Sequence, residues 1–256
     1  MRAKLIILGC GSSVGVPRAD GFWGNCDKNN KKNNRSRCSA IIIKGSNSIL
    51  IDTSPDIRKQ LLSNKIRRIN SVIFSHEHAD QTNGLFELRP FYWKNKKKIN
   101  IYGNLHTINH LKKRQDYLFK KISTYPPIVK ANVINSRFSL GKLNEKIHFK
   151  AIKTKHGNTI SIIYIFENTA YISDSNDLSI VNIKELQNLK YLIIDCLKFK
   201  KHPSHFNLKE SLFVHNRLKP KKTILTNLHH DLDYDFLLRK LPKNVLPAYD
   251  GLTLNL

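Results

Sequence analysis

Within residues 71–84 three side chains able to hold a metal ion stand two residues apart: His76, His78 and Asp80. Two imidazoles and a carboxylate within five residues form a donor set suited to Zn²⁺, with Mn²⁺ and Fe²⁺ as the other ions that accept it. In extended or tightly turning chain alternate residues project to one side, so His76 and His78 can offer two nitrogens to one ion while Asp80 serves a neighbouring position. The apolar, β-branched run Val72-Ile73-Phe74 precedes them, which sets polar side chains where a buried strand emerges into a loop. A lone His-x-His more often ends as a solvated turn. Further donors at other strand ends favour the metal reading here.

The elements that deliver those donors can be read in order. Lys4–Leu8 forms a buried-type strand that exits through the glycine-rich stretch Gly9–Gly15. A dinucleotide-binding turn fails on context, because no amphipathic helix follows Pro17. Asn25–Arg37, dense in Asn, Lys and Arg, reads as an exposed, cation-bearing loop. Strands 40–44 and 48–51 pair across Gly45-Ser46-Asn47 and end at Asp52, and Ser54-Pro55 opens a helix to about Ser63. After the His-x-His segment come a short helix over 84–90, a strand over 99–102 and a helical stretch from Asn104 to Lys121 with a basic face. His106 and His110, one turn apart on it, read as surface residues. In the second half, strand 147–152 leads to a turn holding His156, strands 161–166 and 170–172 lead to Asp174, and strand 191–194 ends at Asp195. Asn207 caps a helix to about Arg217, which places His205 just before its start. A last strand runs through Ile224 and Thr226 into Asn227-Leu228-His229-His230-Asp231.

Composition bounds the whole. The chain has 256 residues, 40% of them hydrophobic, enough for one α/β domain over 1–256 with a substantial core. Lys and Arg number 44 against 19 Asp and Glu, a formal charge of +25 that favours anionic partners. The excess is scattered Lys among Asn and Ile, without the interleaved aromatics of a single-strand stacking surface, so a small phosphate-bearing substrate is favoured over nucleic acid. Cys10, Cys26, Cys38 and Cys196 lack paired spacing, and no stretch has the length of a membrane span, so the expectation is a reduced, cytoplasmic protein with no membrane partner.

Taken together, from Leu8–Arg18 to Ala248–Gly251, the order and separation of these motifs resemble the metallo-β-lactamase superfamily, whose signature after a strand is His-x-His-x-Asp-His. More narrowly the chain is similar to the phosphodiesterase branch, which includes phosphoribosyl 1,2-cyclic phosphate phosphodiesterase. The resemblance implies a four-layer αβ/βα sandwich. It also implies that His76, His78 and His156 bind a first ion, that Asp174 bridges to a second, and that Asp52 supports the metal-binding loop without touching metal. By the same resemblance His205 assists catalysis, and relatives can hold a structural zinc in a cysteine cluster after the first strand. Only Cys26 and Cys38 stand there in this chain, so that site is not carried over.

The chain departs from the family at the second ion. Gln81 replaces the last histidine of the signature, Asn227 stands where relatives carry a late ligand histidine, and His229 substitutes if the turn is displaced. Asp80 completes that ligand set and, with the second site empty, would orient or deprotonate the attacking water. The cofactor expected is therefore one firmly bound Zn²⁺ or Mn²⁺, with a second ion weak or absent. The implied activity is hydrolysis of a small cyclic phosphate or nucleotide-like phosphodiester through metal-activated water, with Asp80 and His205 catalytic. Two alternatives stand beside it: an endonuclease of the tRNA 3′-processing kind, and a non-catalytic metal- or anion-binding protein with a degraded second site.

Overall fold

A computed structural model describes residues Met1–Leu256. Its strands, in chain order, are β1 (Lys4–Gly9), β2 (Ser39–Lys44), β3 (Asn47–Ile51), β4 (Ser71–Ile73), β5 (Ile99–Gly103), β6 (Val129–Val133), β7 (Arg137–Leu140), β8 (Ile147–His156), β9 (Thr159–Phe166), β10 (Thr169–Ile172), β11 (Tyr191–Asp195), β12 (Lys222–Thr226), β13 (Val245–Pro247) and β14 (Thr253–Asn255). The helices are α1 (Ile57–Ser63), α2 (Ala79–Thr82), α3 (Arg89–Asn95), α4 (Leu105–Arg114), α5 (Leu208–Leu218) and α6 (Tyr234–Lys240). No helix is long and apolar enough to cross a membrane.

Two seven-stranded sheets form, in the orders β14-β1-β2-β3-β4-β5-β6 and β13-β12-β11-β10-β9-β8-β7. Each is antiparallel in one part and parallel in the other: β3 to β6 run parallel in the first sheet, β10 to β13 in the second. Side-chain alternation builds three apolar layers. Leu5 and Ile7 of β1 face Ile162, Tyr164 and Phe166 in the core between the sheets. Ile6 and Leu8 point the other way, onto Ile57 and Leu61 of α1. Across the molecule Leu192 and Ile194 meet Val214 of α5 and Leu237 of α6. Helices therefore cover the outer face of both sheets, which is why the central strands read as continuous apolar runs. This is the expected four-layer αβ/βα sandwich.

Three local expectations change. Residues 25–37 are not simply a solvated loop: Arg35 is 1% exposed. Its guanidinium donates to Leu232 O at 2.7 Å, Asn33 Oδ1 at 3.0 Å and His229 O at 3.3 Å, pinning the loop to the segment after β12. The helix expected over 84–90 splits into a 3₁₀ turn, Leu85–Leu88, and α3, because Pro90 suits a first turn better than a last one. The helix expected to reach Lys121 ends at Arg114, where Lys112, Lys113 and Arg114 sit favourably against its negative end.

Candidate metal centre

The parallel strands of both sheets present their carboxyl ends to one cleft. In the first sheet β4 is only three residues long, and the chain leaves it held on three sides. Ser75 N–H donates to Asp52 Oδ1 at 2.7 Å, from the end of the neighbouring β3. Ser75 O accepts Ile162 N–H at 3.0 Å, and Phe74 O accepts the Tyr164 hydroxyl at 2.7 Å, both from β9 of the opposite sheet. Asp52 is fully buried with φ +60°, and burial lifts its carboxyl well above the usual range despite the bonds from Ser75. His76 thus starts from a backbone fixed by both sheets. His78 caps the four-residue α2, which puts Asp80 and Gln81 in the next turn.

Three imidazoles meet there. His76 Nε2 lies 3.0 Å from His78 Nδ1, and His156 Nε2, from the end of β8, lies 3.2 Å from the same atom. Ligands held about 2.0–2.1 Å from a tetrahedral ion stand about 3.3 Å apart, so this spacing fits a zinc-type donor set. The protonation states fit as well. His156 Nδ1 donates to Ser204 O at 2.6 Å, which leaves Nε2 with its lone pair free for a metal. Burial lowers His76 to about 3, keeping it neutral, as a ligand must be.

The second sheet supplies the acids. Asp174 follows β10, Asp195 ends β11 and Asn227 follows β12, three adjacent strand ends. Burial pushes the Asp174 carboxyl up, but the imidazoles around it, with protonated His205 3.8 Å away, hold it below its usual value. His205 Nδ1 lies 2.7 Å from Asp195 Oδ2 and 3.8 Å from Asp174 Oδ1. Burial works against an imidazolium there, yet Asp195 outweighs it and raises His205 to about 9. Asp80 is raised, by burial first and then by the Asp174 charge. Asp195 itself carried no assigned role in the sequence reading, since a strand-end carboxylate looks the same whether it faces a site or solvent.

Most of the residues singled out by sequence come together: His76, His78 and His156 in one cluster, and His156, Asp174 and His205 in a second that shares His156. Asp80 is tied in through Gln81, whose Nε2 donates to Asp80 Oδ2 at 3.2 Å and Asp174 Oδ2 at 3.3 Å. His229 does not join them, and the expected displaced turn is absent. Leu228 N–H is bonded to Cys10 O at 2.8 Å and His229 N–H to Leu197 O at 2.9 Å, which fixes the turn with Asn227 facing Asp174. His229 packs instead on His230, ring centroids 3.5 Å apart, with Nδ1 3.3 Å from Asp231 Oδ2. His106, expected at the surface, is exposed and lies 3.5 Å from Glu77, whose other partners include Thr159 at 2.6 Å.

The beta-lactamase superfamily domain model matches residues 47–229. A crystal structure described as a new diphosphatase from the PhnP family is 30% identical, covers 100% of this chain and 98% of its own, and superposes with a TM-score of 0.86. Zn²⁺-bound PqqB from Methylobacterium extorquens, 15% identical over 99% of this chain and 100% of its own, shares the fold with a TM-score of 0.78. Among curated proteins, an octanoyltransferase of Porphyromonas gingivalis is 28% identical over 97% of this chain. The chain spans about half of that relative's length, 51%. On the family match and the PhnP-family likeness, this chain belongs to the metallo-β-lactamase superfamily, in its phosphodiesterase branch.

Proposed function

We propose that this chain is a metal-dependent hydrolase that cleaves a small phosphodiester, of the cyclic phosphate or nucleotide-like class. The observation that carries the reading is the convergence of His76, His78 and His156 beside Asp174, with the His205–Asp195 pair against the same cluster. These three imidazoles and Asp174 would hold Zn²⁺ or Mn²⁺. When bound, the ion supplies Lewis acidity: it brings the pKa of water towards neutrality and draws charge from a phosphoryl oxygen.

The remaining work falls to the chain. Asp80, raised by burial and by Asp174, is a stronger base than an ordinary aspartate and takes the proton of the attacking water. His205 holds a proton through neutral pH because Asp195 stabilises its charge, and gives it to the departing alkoxide. The formal charge of +25 draws anionic substrates to the cleft. The diphosphatase description of the PhnP-family neighbour widens the substrate class to phosphoanhydrides, in which water again attacks phosphorus but the leaving group is a phosphate.

The octanoyltransferase relative raises acyl transfer as a second chemistry. A thiol acyl carrier is disfavoured here: all four cysteines are buried, and burial raises the pKa of each. The deciding experiment offers the metal-loaded protein a cyclic ribose phosphate, bis(p-nitrophenyl) phosphate, a nucleoside diphosphate, precursor tRNA and an octanoyl thioester. Turnover of the small phosphate esters is expected. Selective cleavage of precursor tRNA would replace this reading by the endonuclease, and cleavage of the thioester alone by acyl chemistry.

A further inference from the structure

The position where the family places a second ion is lined in this chain by two carboxamides. Asn227 Nδ2 lies 3.2 Å from Ser173 O, 3.2 Å from Asp174 Oδ1, 3.3 Å from Asp195 Oδ1 and 3.1 Å from His205 Nδ1. Three of these neighbours are oxygens that can only accept, so the nitrogen of the amide must face them: reversed, its oxygen would meet a carbonyl and two carboxylates. The residue is 1% exposed, and φ +60° at Asn227 turns the chain so that the side chain stays in the site. From the other side Gln81 sets its Nε2 between Asp80 Oδ2 and Asp174 Oδ2, its Oε1 buried without a partner. Its backbone is held by Thr53 N–H donating to Gln81 O at 2.7 Å and by Gln81 N–H donating to His78 O at 3.1 Å.

Each oxygen of Asp174 therefore receives an amide N–H, one from each side. A second ion there would meet N–H groups where it needs lone pairs, since an amide nitrogen has none to give a metal. We infer that this is a one-ion centre, in which the Gln81 and Asn227 amides fill the second-ion position and fix Asp174 as a ligand to the first ion only. The negative charge of Asp80, Asp174 and Asp195, which a second cation would balance, is met by those N–H donors and by His205 at 2.7 Å from Asp195. Gln81 and Asn227 are positioning residues: they act on Asp174.

The inference rests on the proposed metal centre, and one titration separates the two. The chelator-stripped chain of 256 residues is titrated with Zn²⁺ and, separately, Mn²⁺ by calorimetry, with the Mn²⁺ spectrum recorded by electron paramagnetic resonance. One equivalent, with the hyperfine pattern of an isolated Mn²⁺, is expected. Two equivalents with an exchange-coupled spectrum would overturn the one-ion centre and leave the hydrolase reading standing, whereas no binding would remove both. The double variant Gln81→His, Asn227→His is expected to gain a second equivalent. If it folds by circular dichroism and binds only one, the amides are not what excludes the second ion. Because the wild-type stoichiometry decides the matter alone, misfolding of the variant leaves the test intact.

Discussion

His205 Nδ1 lies 2.7 Å from Asp195 Oδ2, the foremost of the carboxylate contacts by which a histidine beside a cluster of other imidazoles keeps its proton. Burial would discharge it, but Asp195 first, then Asp174 and Asp80, raise it from 6.5 to about 9. The imidazolium then persists below about pH 9 and is lost as pH rises through that value. Replacing Asp195 by Asn removes the charge and moves the loss to lower pH. The expected result is a kcat lower by about 10²-fold at pH 8, with the alkaline limb of the pH–rate profile displaced downwards. An unchanged limb would show that His205 is not the proton donor.

Arg35 connects loop 25–37 to the segment following β12. Arg35→Met leaves Leu232 O without its donor, whereas Asn33 Oδ1 keeps Tyr234 N–H and His229 O keeps Leu232 N–H, and the expected cost is about 1–3 kcal/mol. Lys31→Ala, on the exposed part of the same loop, is expected to stay within about 0.5 kcal/mol of the parent. Urea denaturation distinguishes the two; equal midpoints would mean the guanidinium does not anchor the loop.

Gly9 shows what the glycine-rich stretch is for. A Cβ there would lie 2.2 Å from Arg37 O and 2.3 Å from Gln60 Nε2, so the glycine permits close passage of backbone beside β1. Gly9→Ala is expected to lower stability by about 1–3 kcal/mol through overpacking. A thermal melt matching the parent would contradict this.

These residues also mark where sequence reasoning reaches. His76, His78 and Asp80 were legible because their donors lie within five residues at the end of an apolar run, and local spacing is visible in a string. The sandwich was legible through family resemblance, since alternating short strands and helices alone fit several architectures. Arg35 was not, because its partners are largely backbone carbonyls about 200 residues away, and burial of a cation by such partners leaves no local pattern. His229 reads as a ligand in the sequence because it stands two residues beyond the expected position. Only the hydrogen bonds of Leu228 and His229 to the distant residues Cys10 and Leu197 reveal that the turn cannot shift.

Everything proposed for this chain depends on His76, His78, His156 and Asp174 holding a metal ion that hydrolyses phosphate esters. Elemental analysis of protein purified without chelator, paired with bis(p-nitrophenyl) phosphate turnover, tests it most directly when parent and His76→Ala are compared. Near-stoichiometric metal and measurable turnover are expected in the parent, and loss of both in a folded His76→Ala variant. Turnover retained by metal-free His76→Ala, or a parent that binds no metal, would contradict it.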